Sequence, residues 1–200
     1  MHRCFVLLLT LSTAALLFAQ TSSSKSKPHG KSTSAPRETA ETVYRNPEFA
    51  FAYKIPYAWV DRTKDMQDDA TDPAKSRLLL VVFERPPQVT GDTVNSAVVI
   101  TAESADSYPG LKTAADYMGP LTELTTSKGF SPDGGPYEYP VGQTTLVRGD
   151  FTRAVGSLAM HQSSLVMLRK GYVVSFTFIA GSDDELDELI EKLSFPSAKP

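Results

Sequence analysis

Three strand-like stretches follow one another between residues 144 and 180 with almost no chain to connect them. They run from Thr144 to Arg153, from Ser157 to Arg169 and from Tyr172 to Ala180, and Lys170 and Gly171 alone separate the last two. Because two residues are too few to cross over a sheet, strands joined in this way must be antiparallel neighbours. This meander restricts the chain to folds built on an antiparallel sheet.

Further strand patterns precede the meander. Phe49, Phe51 and Tyr53 alternate with less apolar residues, which is typical of a half-buried strand, and Pro56 ends it. The other predicted strands are the apolar runs at residues 77–84 and 95–103.

Two helices are predicted around the meander. Apolar residues between Leu111 and Lys128 recur at helical spacing, although Pro120 is expected to kink or break that helix. Ser182 followed by Glu185 predicts a capping box, and the apolar stripe after it extends the final helix to Leu193. The order of strands, helix, meander and helix indicates an α+β fold.

The first 19 residues have the pattern of a secretory signal peptide. A basic start is followed by the apolar run from Cys4 to Phe18, and Ala19 is a small residue suited to cleavage. The run is shorter than the roughly 20 residues of a membrane-spanning helix. We therefore expect an exported protein, periplasmic or secreted, with no transmembrane span after cleavage and no remaining cysteine.

Residues 20–41 are rich in serine and lysine and nearly devoid of apolar side chains, which predicts a disordered linker. The linker has an excess of two basic residues, and residues 42–200 have an excess of six acidic ones. An acidic domain is a poor partner for nucleic acid. Residues 42–196 are expected to form one folded domain, and residues 197–200 a short tail.

Two segments resemble the PsbP-like and Mog-type superfamily. The sequence YRNPEFAFAYKIPYAWV, residues 44–60, is similar to the opening of these proteins, and GYVVSFTFIAGSDDELDELIEKLSF, residues 171–195, is similar to their last strand and helix. The resemblance implies an α/β/α sandwich with a central antiparallel sheet of about six or seven strands and helices packed on it. It implies no catalytic motif, because the superfamily acts mainly by binding.

Residue types suited to catalysis or metal binding are scarce. Beyond the signal peptide the histidines are His29, in the linker, and His161, which we interpret as a surface or sheet-packing residue. The acidic residues Asp65, Asp68, Asp69 and Asp72 lack the spacing and the glycine of a calcium loop. No catalytic residue, metal site or cofactor is predicted. Arg148-Gly149-Asp150 matches the integrin-binding tripeptide, but it lies in a strand pattern where Gly149 suggests a bulge.

Aromatic residues are the remaining candidates for a binding surface. Tyr57 and Trp59 follow Pro56, and Tyr137 and Tyr139 flank a loop rich in glycine and proline. Burial in the core is the favoured interpretation, and a recognition surface is the alternative. The sequence favours a non-enzymatic envelope protein that binds another envelope protein or stabilises an assembly. The alternative is a small-ligand carrier or an enzyme whose pocket the fold creates.

Overall fold

The computed structural model of the protein describes residues 42–67, 75–89 and 91–196. The predicted signal peptide, linker and C-terminal tail lie outside these residues. The strands are β1 Thr42–Asn46, β2 Phe51–Ile55, β3 Val60–Asp61, β4 Ser76–Phe83, β5 Ala97–Ser104, β6 Ser131–Pro132, β7 Tyr137–Val141, β8 Thr144–Val155, β9 Leu158–Arg169, β10 Tyr172–Ala180 and β11 Leu193–Ser194. The helices are α1 Thr63–Gln67, α2 Ala114–Ser127 and α3 Asp183–Ile190, with a 3₁₀ helix at Ala105–Ser107.

The predicted antiparallel meander forms the middle and one side of a large sheet. The strand order is β3-β4-β5-β10-β9-β8-β6, and β7 pairs with β8 beside β6. The turn from β9 to β10 uses Lys170 and Gly171, both with positive φ, which matches the right-handed twist of the strands that it joins. The sheet is antiparallel throughout, as the sequence predicts.

One face of the large sheet is covered by α3 and by a second sheet of three strands in the order β1-β2-β11. The main core between these layers is rich in aromatic rings. The ring of Phe51 packs against that of Phe176, and the ring of Phe49 packs against that of Tyr172. The alternation from Phe49 to Tyr53 thus places these side chains in the core, as predicted.

The opposite face of the large sheet is covered by α2 and α1. Tyr117, Met118 and Leu121 of α2 pack against Val166 and Val173. Nearer the β4 edge, Met66 of α1 packs against a second small cluster. Both faces are therefore covered, and the predicted α/β/α sandwich is confirmed, with one outer layer shared between α3 and the smaller sheet.

Three local predictions are wrong. The helix α2 continues through Pro120, whose exposed position leaves the unpaired carbonyl of the preceding turn accessible to solvent. The helix α3 ends at Ile190, and Leu193 lies in β11, which pairs with β2. Gly149 forms no bulge, since the pairing of β8 with β9 is continuous there. A Cβ at Gly149 would lie 2.5 Å from the Met118 methyl carbon, so this glycine instead allows α2 to approach the sheet.

Within the described part of the chain, no helix is long and apolar enough to cross a membrane. In α2, Thr113 and Asp116 form a capping box that sequence inspection did not identify. In α3, Ser182 accepts the Glu185 backbone N–H, whereas the Glu185 carboxylate accepts N–H from Gly181 and the Ser96 hydroxyl. The predicted capping box is therefore only half formed, because the glutamate joins α3 to the segment before β5.

Candidate functional site

A cluster of charged and aromatic side chains lies where α3 meets the β7–β8 edge of the large sheet. Arg148 and Asp150 are two residues apart on β8 and point to the same face, where Asp187 of α3 pairs with Arg148. Tyr137 and Tyr139 of β7 complete the group, which we call the Tyr137 surface. Residues distant in sequence are thus brought together by the sheet register and by the packing of α3.

Arg148 is the buried centre of the Tyr137 surface. Its Nε lies 2.8 Å from Asp150 Oδ1, and its Nη1 lies 3.0 Å from Asp187 Oδ1. The guanidinium carbon also lies 5.0 Å from the ring centre of Tyr139 and 5.9 Å from that of Tyr137. Such stacking adds to the ion pairs because the negative face of an aromatic ring attracts a cation.

Two carboxylates keep this arginine charged. Burial alone would lower the pKa of Arg148, but the hydrogen bonds and charges of Asp150 and Asp187 outweigh burial and raise it. Asp150 is itself well satisfied, because it also accepts hydrogen bonds from the Ser163 hydroxyl and, at 2.9 Å, from the Tyr137 hydroxyl. The network therefore holds the Tyr137 hydroxyl in place while the residue remains 44% exposed.

The Tyr137 hydroxyl is expected to lose its proton at a higher pH than an ordinary tyrosine. Burial and the hydrogen bond to Asp150 raise its pKa to about 12. Because the folded protein holds this proton more tightly than the unfolded chain, the associated stabilisation is complete below about pH 10 and is lost as the pH rises through 12. In an alkaline absorbance titration, Tyr137→Phe should remove one tyrosine that ionises near pH 12. Loss of a tyrosine that ionises near pH 10 would contradict this assignment.

The four aromatic candidates lie on two separate surfaces. Trp59 directly precedes β3, and Tyr137 and Tyr139 lie in β7, so the two pairs are at opposite edges of the large sheet. Trp59 and Tyr139 are partly buried against the main core, in line with the favoured interpretation. Tyr57 and Tyr137 are exposed, and for them the core interpretation is wrong.

Tyr57 owes its 80% exposure to a strained turn. The Trp59 N–H donates to the Pro56 carbonyl at 3.3 Å, and Ala58 between them has a φ of +64°. A non-glycine residue in this conformation costs on the order of 1 kcal/mol. In this turn the Tyr57 side chain points into solvent, whereas the Trp59 side chain packs against the core.

His161 lies near the Tyr137 surface on β9. Its Nδ1 is 2.7 Å from the carboxylate of Asp183, which is 72% exposed at the first turn of α3. Ser163, two residues along the same face, is fully buried and donates its hydroxyl to Asp150, so substrate cannot reach it. Within the described part of the chain, His161 is a sheet residue that hydrogen-bonds to Asp183 of α3 and to no nucleophilic side chain.

The remaining motifs are the Arg148-Gly149-Asp150 tripeptide and the acidic residues between Asp65 and Asp72. Within the Arg148-Gly149-Asp150 tripeptide, the arginine is buried and the aspartate binds it, so neither is presented to a receptor. Asp65 pairs with Arg62, while Asp68, Asp69 and Asp72 lie outside the described residues. Among residues 42–67, 75–89 and 91–196, no three His, Cys, Asp or Glu side chains are grouped to hold a metal ion.

Shallow depressions open on the surface formed by the described residues, and two of them are well defined. One, of about 460 Å³, lies beside the turn between β8 and β9 and is lined mainly by small residues with Arg153. The other, of about 390 Å³, lies on the outer face of the smaller sheet around Ala52, between Arg45 and Phe195. Neither includes a residue of the Tyr137 surface.

Sequence inspection missed Asp187 and Ser163 as members of the site. A signal was present in β8, where Arg148 and Asp150 share one face of the strand with the apolar Leu146. Charges on a covered face require partners, so this pattern predicts a buried polar network. Nothing in the local sequence indicates that Asp187, 39 positions away, is the partner.

Comparison with solved structures defines this architecture as a PsbP-like fold. The solution structure of cyanobacterial PsbP (CyanoP) from Synechocystis sp. PCC 6803 is similar, with a TM-score of 0.53 and 12% identity over 82% of this chain and 98% of that one. The Ran-binding protein Mog1p of Saccharomyces cerevisiae has a TM-score of 0.45 at 12% identity, covering 78% of this chain and 95% of its own. LpqN of Mycobacterium tuberculosis, involved in cell envelope biogenesis, has a TM-score of 0.39 at 11% identity, covering 80% and 88%.

The similarity to CyanoP confirms the resemblance predicted from residues 44–60 and 171–195 at the level of the fold. No known protein family matches the sequence. No curated protein matches it either.

Proposed function

We propose that this chain is an exported, non-enzymatic protein of the cell envelope that binds another protein through the Tyr137 surface. The observation that supports this most is the exposed ring of Tyr137, which Asp150 and Arg148 hold in place. An aromatic side chain that is already ordered loses little conformational entropy on binding, and tyrosine is enriched at the centres of protein interfaces.

Charge supports the same surface. Asp187 of α3 is more than half exposed although it pairs with Arg148. An aromatic anchor beside partly paired charges is a common arrangement at interfaces, where the anchor contributes affinity and the charges contribute orientation. The apolar leader sequence at residues 1–19 supports export.

A small-ligand carrier is the second candidate, and the depression near the β8–β9 turn is where its ligand would bind. That depression is shallow and lined largely by Gly, Ser and Ala residues. Ligand sites usually enclose most of the ligand surface among apolar and aromatic side chains. The lining therefore supports the carrier less well than the Tyr137 surface supports protein binding.

Site-specific crosslinking in living cells distinguishes the candidates. A photo-crosslinking phenylalanine analogue at position 137 should give a discrete adduct with one envelope protein, at least tenfold stronger than the same analogue at Val155. Val155 is a matched control because its exposure of 41% is close to the exposure of Tyr137. It also lies beside the depression near the β8–β9 turn, where the ligand of a carrier would bind. Equal adducts at both positions, or none at 137 in a folded variant, would contradict the proposed function.

A further inference from the structure

The edges of both sheets differ in their capacity to accept another strand. An exposed edge offers unpaired backbone N–H and C=O groups, and proteins usually block such edges. In the β7–β8 pair, Val141 and Thr144 flank a two-residue turn, so residues 137, 139 and 141 bond to β8. Glu138 and Pro140 therefore face outward, and Pro140 has no N–H to donate.

The opposite edge of the large sheet is blocked by α1 and the residues just before it. Arg62 donates its backbone N–H to the Val81 carbonyl at 2.9 Å, and the Thr63 hydroxyl accepts the Val81 N–H at 2.9 Å. The Gln67 amide donates to the Leu78 carbonyl at 2.7 Å. In the smaller sheet, β11 offers an edge of only two residues followed by Pro196.

The remaining edge, β1, is open among the described residues. Lys54 of β2 donates its N–H toward β11, to the Lys192 carbonyl at 3.0 Å, so the neighbouring Tyr53 directs its backbone groups toward β1. Its partner Tyr44 therefore faces β2. By alternation, the N–H and C=O groups of Val43 and Arg45 point outward, and β1 contains no proline.

The side chains along this edge have a definite chemistry. Arg45 is exposed on the outer face of the smaller sheet and forms no ion pair with a described residue. The depression around Ala52 begins at Arg45. On the inner side, Tyr44 packs against the main core with part of its ring accessible. The edge thus presents a cationic outer side and an apolar inner side.

We propose that β1 accepts an extended acidic segment of a partner protein as a fourth strand of the smaller sheet. Acidic side chains of that segment would alternate outward beside Arg45, and apolar ones would alternate inward beside Tyr44. The backbone groups of Val43 and Arg45 supply the hydrogen bonds, and the Arg45 side chain selects the charge. This surface is separate from the Tyr137 surface, so the inference stands independently of the proposed function.

The test uses the whole protein and a blocked octapeptide of alternating Glu and Val, with alternating Lys and Val as its charge-reversed control. We expect saturable binding of the Glu peptide by fluorescence anisotropy, at least tenfold tighter than that of the Lys peptide. Val43→Pro, which removes an outward N–H but no β1–β2 hydrogen bond, should weaken binding at least tenfold. Glu138→Pro, the matched change on β7, should leave binding unchanged.

Each alternative occupant gives a different result. Arg45→Glu should reverse the preference between the two peptides, which tests the charge even if Val43→Pro fails to fold. No binding of the Glu peptide at millimolar concentration, or equal binding of both peptides, would overturn the proposal. A dimer in sedimentation that Val43→Pro abolishes would assign β1 to a second copy of the chain and would also overturn it. Loss of crosslinking at Tyr137 alone affects only the proposed function.

Discussion

Phe176→Ala is expected to lower the free energy of unfolding by about 3–5 kcal/mol, from lost apolar burial and the cavity left behind. Phe176 is fully buried in β10, a central strand between β5 and β9. Its ring packs edge-on against Phe51 at 5.0 Å and Phe195 at 6.1 Å, so the variant loosens the contact between the two sheets. A loss of this size is a large share of the roughly 5–15 kcal/mol that a domain has. Denaturant melts measure it.

Thr177, the next residue, tests the third layer. It points to the face that α2 and α1 cover, where Val173 and Ser175 of the same strand are buried and its hydroxyl lies 3.4 Å from that of Ser164. Because Thr177 is itself only half-buried, Thr177→Asp should cost about 1–3 kcal/mol, from a charge moved toward a covered face. Thr177→Asn controls for polarity and should cost clearly less. A neutral Thr177→Asp would mean that this face is open to solvent.

Arg148→Ala is expected to cost about 2–4 kcal/mol. The change leaves Asp150 without its cation in a site where only a fifth of the aspartate side chain is exposed, and it removes the stacking on Tyr137 and Tyr139. The expected cost is below the largest values for breaking a fully buried ion pair. Asp187 is more than half exposed, so water solvates its carboxylate once Arg148 is removed.

The comparison variants separate charge from packing. Arg148→Met retains most of the side-chain volume. The decrease in the free energy of unfolding that remains in this variant therefore measures the cost of leaving Asp150 unpaired. Arg45→Ala removes an exposed strand arginine and should change the free energy of unfolding by less than about 0.5 kcal/mol. If Arg148→Ala has the same free energy of unfolding as the wild type, the network does not stabilise the packing of α3 on the sheet.

Local chemistry accounts for the elements that the sequence predicts correctly. The meander follows from two-residue turns and long runs of strand formers, and both signals lie within a few residues of each other. Ser182 starts α3 for a similar reason, since its hydroxyl accepts the Glu185 N–H one turn later. Among the aromatic candidates, the sequence favours burial in the core and leaves a recognition surface as the alternative; Tyr57 and Tyr137 are exposed, whereas Trp59 and Tyr139 are partly buried.

The predictions that fail depend on contacts between distant residues. Leu193 fits the apolar stripe of α3, yet pairing with Tyr53 draws it into a two-residue strand too short to show a period of its own. Gly149 suggests a bulge in the sequence, but its lack of a side chain instead makes room for Met118 of α2.

The sequence by itself determines the antiparallel sheet and the two longer helices, because turns, caps and periodicity act over a few residues. Only the tertiary structure decides which charges meet. Arg148 and Asp187 are 39 positions apart, and they pair because α3 packs on β9 and β10, next to β8. The open edge of β1 likewise exists only once the pairing of β2 with β11 directs the backbone of Val43 and Arg45 outward.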